Sequence, residues 1–132
     1  RHPNPLWSQL AEDRLSGMFI TDGHHLPASF VRVAWRAKGI DRFIVVSDAA
    51  PVAGLAPGEY DWGGRVLVGE DGCISKPSSD SLAGSSAVMA DCMRWLASVV
   101  PLGEDDLLRV GRVHPLALIG RTEADLGQWP AY

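Results

Sequence analysis

The chain is poor in lysine and cysteine, with two of each, and has no apolar run long enough to cross a bilayer. Its basic residues, ten arginines and the two lysines, are scattered along 132 residues without aromatic–basic interleaving, and the net charge is −4. A nucleic-acid surface requires a basic patch or stripe, so no nucleic-acid partner is expected. Cys73 and Cys92 are isolated, without CxxC spacing, and are read as free thiols of an intracellular protein. With no signal-peptide pattern, the expected compartment is the cytoplasm, with no membrane partner. No internal repeat stands out, and only "KPSSDS" is low in complexity. The chain opens at Arg1 without an initiator methionine and closes on "GQWPAY", so a piece of a longer protein is expected.

What is present suits one globular domain with a real core: 46% of residues are apolar and 21% charged. "LWSQLAEDRL", residues 6–15, has the spacing of a short amphipathic helix. A strand is expected over about 18–21, followed by the polar turn of "TDGHHLP". In residues 28–38, Phe30, Val31, Ala34 and Trp35 fall on one helical face, and Gly39 is a natural stop. The run from Phe43 to Val46 reads as a strand buried on both faces, as in a parallel sheet. Together these elements form a βαβ unit.

Further along, "RVLVGEDGCIS" carries a hairpin signal at Asp71-Gly72, because Asp-Gly supplies positive φ angles. Val88, Cys92, Leu96 and Val99 then recur at helical spacing, and Val88, Met89 and Trp95 are expected in the core. The acids of "GEDDLL" suit a helix N-terminus, and Pro115 either breaks that helix or begins a second one.

Chemistry-bearing residues cluster just past the two expected strands: Asp22, His24 and His25 after the first, Asp48 after the second. Reactive groups of parallel α/β proteins collect at the carboxyl ends of strands. Neighbouring parallel strands lie about 5 Å apart, so Asp48 and one histidine could face a common cavity. Adjacent side chains in an extended segment point opposite ways, which argues against His24 and His25 sharing a metal. Gly23 by itself signals a tight turn. "LAGSS", residues 82–86, could offer backbone N–H groups to an anion or could simply cap the next helix.

The motifs "TDGHHLP" (21–27), "VVSDAAPVAGLAPGEY" (45–60), "GGRVLVGEDG" (63–72), "LAGSS" (82–86) and "HPLALIG" (114–120) occur in order along the chain. In that order and spacing they resemble the N-acetylglucosamine-6-phosphate deacetylases of the amidohydrolase superfamily. The resemblance implies an α/β fold, the C-terminal portion of a (β/α)8 TIM barrel, with its last two strand/helix units and an inserted β-hairpin at about 59–76. A whole TIM barrel takes about 250 residues, so the upstream barrel and β-sandwich segments would lie outside this chain.

The implied activity is hydrolysis of the N-acetyl amide of an amino-sugar phosphate by metal-activated water. Asp48 matches the catalytic aspartate that takes a proton from the water and delivers it to the leaving amine. His25 matches a substrate-binding histidine and Arg1 an arginine on the sugar phosphate. Asp22, Gly23, His24, Leu82, Ala83 and Gly84 fall in segments that line the substrate pocket. A divalent metal, zinc or iron, would be held by ligands upstream and not by this fragment, and a homodimer or higher homo-oligomer is implied. His114 stands where the family usually has asparagine.

Two other readings share these residues. One is a related amidohydrolase acting on another N-acyl or cyclic amide; the other is a non-catalytic binding or assembly module. A fragment of a barrel would also expose strand edges, so pairing with copies of itself or with the missing part is expected.

Overall fold

The computed structural model describes residues 3–79 and 81–128. The chain opens with helix α1 (Pro5–Ala11), where Asn4 is the N-cap, its side chain accepting the Leu6 N–H at 2.9 Å, and Pro5 sits in the first turn. The helix is shorter than its periodicity predicts, because Glu12 is already extended. The reason is tertiary: Lys38, only 7% exposed, donates from Nζ to the carbonyls of Gln9 (2.5 Å) and Glu12 (2.8 Å). These are carbonyls that the end of a helix leaves without internal donors.

Strand β1 (Gly17–Ile20), helix α2 (Ala28–Arg42) and strand β2 (Phe43–Val46) form the expected βαβ unit. The strands pair in parallel, with Gly17 opposite Phe43 and Ile20 opposite Val46. Gly39, at φ 60°, interrupts α2 where the sequence places its stop, and a short helical stretch continues to Arg42. Residues Phe43, Ile44 and Val45 are all buried, as expected for a strand covered on both faces. β1 is buried only at Phe19, and Met18 is 62% exposed.

One core joins this unit to the helices that follow. Val31 and Ala34 of α2, Phe43 and Val45 of β2, and Cys92 and Leu96 of helix α3 (Met89–Val99) pack in it. Phe43 stacks on Phe19 with ring centroids 4.3 Å apart and meets Trp35 edge-on at 5.4 Å. Burying a large side chain of this kind stabilises by about 1.5–3 kcal/mol. Met89 and Trp95 pack against the core, whereas Val88 is 53% exposed and corrects the expectation that it is internal. Val88 is the N-cap of α3, one residue before the first turn, and its N–H donates to the Asp91 carboxylate at 3.2 Å.

A second, antiparallel sheet lies between β2 and α3, in the order β3 (Gly58–Asp61), β4 (Arg65–Val68), β5 (Ile74–Lys76), β6 (Ser81–Leu82). The hairpin predicted around Asp71-Gly72 is the β4–β5 pair, and β3 and β6 extend it by one strand on each side. Val66, Val68, Ile74 and Ala83 form its core with Ala50 and Val52 from the loop after β2.

After α3, helix α4 (Glu104–Leu108) runs through a π-helical turn (Arg109–Val113) into α5 (His114–Leu118), with a 3-10 turn at Glu123–Gln128. Of the two readings of Pro115, the second holds: it lies in the first turn of α5. Proline lacks an N–H and crowds the carbonyl four residues back. The wider turn relieves that conflict, the His114 N–H reaching the Arg109 carbonyl. No helix among the described residues is long and apolar enough to cross a membrane.

Candidate functional site

The parallel register positions the site. Asp22 and Asp48 each stand two residues beyond the paired residues Ile20 and Val46, so both begin loops at the same, carboxyl-terminal edge of the β1–β2 pair. That edge is where the sequence places reactive groups.

In the first loop, Asp22 organises the turn. Its Oδ1 accepts the backbone N–H groups of His24 (2.9 Å) and His25 (3.0 Å), while Oδ2 lies 2.7 Å from Nδ1 of His25. The Asp22 side chain is 1% exposed and that of His25 19%. Burial pushes the Asp22 carboxyl up, but the N–H groups of His25 and His24, the His25 ring and the Ser85 hydroxyl together outweigh it. The net effect holds the carboxyl below its ordinary value of 3.8. His24 is exposed. Gly23 has φ 86°, and a Cβ there would lie 2.7 Å from Nε1 of Trp95, so the indole of α3 closes the back of the turn. Beneath it, Thr21 is fully buried and donates its hydroxyl to the Cys92 carbonyl at 2.9 Å.

In the second loop, Asp48 is exposed and has φ 51°, the left-handed region that aspartate and asparagine tolerate better than most residues. Ser85 holds this conformation: its N–H donates to the Asp48 carbonyl at 2.8 Å, and its own carbonyl accepts the Ala50 N–H at 2.9 Å. The result is an isolated parallel bridge between Ala49 and Ser85. Gly84 permits the approach, since a Cβ there would come within 3.0 Å of Ala50 Cβ and 3.3 Å of the Asp48 carbonyl oxygen. "LAGSS" is therefore not the cap of α3, whose N-cap is Val88. Ala83 is buried in the second core, its N–H on the Ile74 carbonyl, and Leu82 is 36% exposed.

The structure thus brings Asp22, His25, Asp48 and Gly84 to one edge, leaves His24 in solvent, and uses Gly23 and Ala83 to pack the loops. Arg1 lies outside the described residues. Ser85, 1% exposed, was not among the sequence candidates; it touches both loops, and its only signal was its place inside "LAGSS". Beside His25 an apolar groove of about 580 Å³, lined by Leu6, Leu10, Leu15, Met18 and Phe30, runs along β1, whose other edge pairs with β2 and whose edge here is unpaired among the described residues. Among the described residues, no group of three or more His, Cys, Asp or Glu side chains could hold a metal ion.

No family model matches the chain. Among curated proteins, it is 32% identical over 111 residues to the N-acetylglucosamine-6-phosphate deacetylase of Lysinibacillus sphaericus, covering 83% of this chain and 28% of that protein. It is 28% identical over 124 residues to the N-acetylgalactosamine-6-phosphate deacetylase of Shewanella sp. strain ANA-3, covering 93% and 31%. Among solved structures, the N-acetyl-D-glucosamine-6-phosphate deacetylase of Mycobacterium smegmatis superposes with a TM-score of 0.81 at 26% identity, covering 90% of this chain and 32% of that one. An Asp-to-Ala variant of the same enzyme, in complex with N-acetyl-D-glucosamine-6-phosphate, gives 0.80. The chain spans about three tenths of the length of these relatives. The resemblance drawn from the motifs is thus the one its relatives carry by name, N-acetylglucosamine-6-phosphate deacetylase, matched over most of this chain and a minor part of theirs.

Proposed function

We propose that the chain is the C-terminal part of a deacetylase that hydrolyses the N-acetyl amide of an amino-sugar phosphate, and that Asp48 is its proton-transfer residue. The observation that carries this is the shared edge: Asp48 and the Asp22–His25 pair leave adjacent parallel strands at matched positions, joined through Ser85. In this reading β1 and β2 are the last two strands of a (β/α)8 barrel. The second sheet is an insertion, and the free edge of β1, with its apolar groove, receives the preceding strand of the parent.

The described residues do not themselves fit a metal. The ligands for a divalent cation, zinc or iron, belong in this reading to the rest of the parent, and the fragment alone is inactive. What this chain supplies is acid–base chemistry and substrate contacts. Asp48, exposed on its loop, accepts a proton as water adds to the acetamide carbonyl, and returns it to the nitrogen as the C–N bond breaks, leaving acetate and the amine. His25 offers its ring to the substrate phosphate, and Arg1 contributes a guanidinium contact to the same group. Gly84, Ala83 and Leu82 border the same edge. The relatives' names cover both glucosamine and galactosamine phosphates, so the substrate class is an N-acetylhexosamine 6-phosphate. The expected setting is the cytoplasm, as a homo-oligomer.

The test of the substrate contact is His25→Asn in the complete parent. KM for the phosphorylated sugar should rise about tenfold or more, with little change for the unphosphorylated acetamido sugar. An equal loss on both substrates would contradict an anion-binding role.

A further inference from the structure

We propose that Asp22 is a positioning residue: its buried carboxylate fixes His25 in the Nδ1–H form, so that Nε2 is the nitrogen presented to the substrate's anionic group. The proposal rests on the reading of His25 as a substrate contact and assigns Asp22 a role other than touching substrate.

Three contacts carry it. The carboxylate accepts the backbone N–H groups of His24 and His25 on Oδ1 and faces Nδ1 of His25 with Oδ2 at 2.7 Å. One side chain therefore fixes both the backbone that carries the imidazole and the ring itself. An ionised carboxylate can only accept hydrogen bonds, so Nδ1 must carry the proton. The carboxyl's downward shift is consistent with its staying ionised. With Nδ1 occupied, Nε2 is the free nitrogen, on a ring that keeps 19% exposure while Asp22 has 1%. In the neutral Nδ1–H ring Nε2 carries only a lone pair, so its contact to an anion forms when a second proton occupies Nε2 and makes it a charge-assisted donor. Trp95 behind Gly23 and the Ser85 hydroxyl beside Asp22 leave the carboxylate buried, away from a bulky substrate.

Asp22→Asn separates positioning from bulk. The asparagine oxygen can still accept the two backbone N–H groups, but its NH₂ donates to Nδ1, which reverses the tautomer and opposes protonation of that nitrogen. The experiment uses the complete parent enzyme with ¹⁵N-labelled histidine, the His25 signals being assigned by their loss in His25→Asn. In the unmodified enzyme at a pH where the ring is neutral, the proton should sit on Nδ1; in Asp22→Asn it should move to Nε2. Nε2–H remains a neutral donor in Asp22→Asn, so KM for the phosphorylated sugar should rise, by less than it does in His25→Asn, while kcat changes less than about threefold.

A proton on Nε2 in the unmodified enzyme overturns the proposal, and this measurement decides even if the variant does not fold. A tautomer unchanged by Asp22→Asn also overturns it. If KM rises in His25→Asn but not in Asp22→Asn, the positioning role is wrong and the substrate contact stands. If KM rises in neither, the substrate contact is wrong, and the tautomer measurement alone judges the geometry.

Discussion

Oδ2 of Asp22 lies 2.7 Å from Nδ1 of His25, and both residues belong to a four-residue turn whose backbone the same carboxylate holds. This pair couples the stability of the turn to pH. The folded-state carboxyl lies below its ordinary value of 3.8, so the stability it contributes is present above that value and is lost as pH falls through the lower, folded one. Asp22→Asn should therefore be less stable than the unmodified parent at pH 7, by about 1–3 kcal/mol. The gap should narrow as pH falls below 3.8, as read from urea midpoints at a series of pH values. A gap independent of pH would show that the ionised carboxylate is not what holds the turn.

Gly23 should tolerate no side chain. Its φ of 86° disfavours L residues, and a Cβ would lie 2.7 Å from Nε1 of Trp95, an indole set in α3. Gly23→Ala should cost about 1–3 kcal/mol. Adding Trp95→Phe, which removes the clashing atom, should recover part of that loss in a double-mutant cycle on thermal unfolding. Additive losses would contradict the contact.

Cys92 should be chemically silent in the folded protein. It is fully buried, and burial, then the charges of Asp22 and Asp91, push its thiol up. Thiol titration with an aromatic disulfide at neutral pH should leave Cys92 unmodified until denaturant is added. Cys73, partly exposed and raised chiefly by burial, should react slowly. Immediate modification of Cys92 would mean that the core of β2 and α3 is open.

Lys38 should act through its charge and its reach. Lys38→Met keeps the buried stem but removes both bonds to the Gln9 and Glu12 carbonyls. A loss of about 1–3 kcal/mol is expected, with α1 fraying first by hydrogen exchange. Unchanged protection of α1 would contradict the capping role.

The βαβ unit was legible because its signals are local. The apolar run Phe43–Val46 and the face of Val31 and Ala34 encode their burial in spacing alone, and Gly39 marks the break in α2. What was not legible depends on distant partners. Helix α1 stops early because a lysine 26 residues away from Glu12 takes its last carbonyls. Strands β3 and β6 escape notice because "GEYD" is largely polar and β6 has two residues; they are strands by pairing. Val88 has the spacing of a core residue but sits before the helix turns it inward. In the site, the two strand-end loops were visible from Asp22, His25 and Asp48. Ser85 was not, because its link to Asp48 and Ala50 is made by its backbone and leaves no mark in side-chain chemistry. The burial of Asp22 was hidden for a similar reason, since the Ser85 hydroxyl beside it comes from later in the chain.

Asp48→Asn in the complete parent separates proton transfer from every other role of this edge. Asparagine also tolerates the left-handed conformation at φ 51° and leaves the Ser85 bridge to the backbone intact, so the fold is kept and only proton transfer is removed. A fall in kcat of about 10²–10⁴-fold is expected, with metal content and binding of the phosphorylated acetamido sugar retained. Turnover above about a few per cent of the unmodified enzyme, outside that range, would contradict the assignment of Asp48.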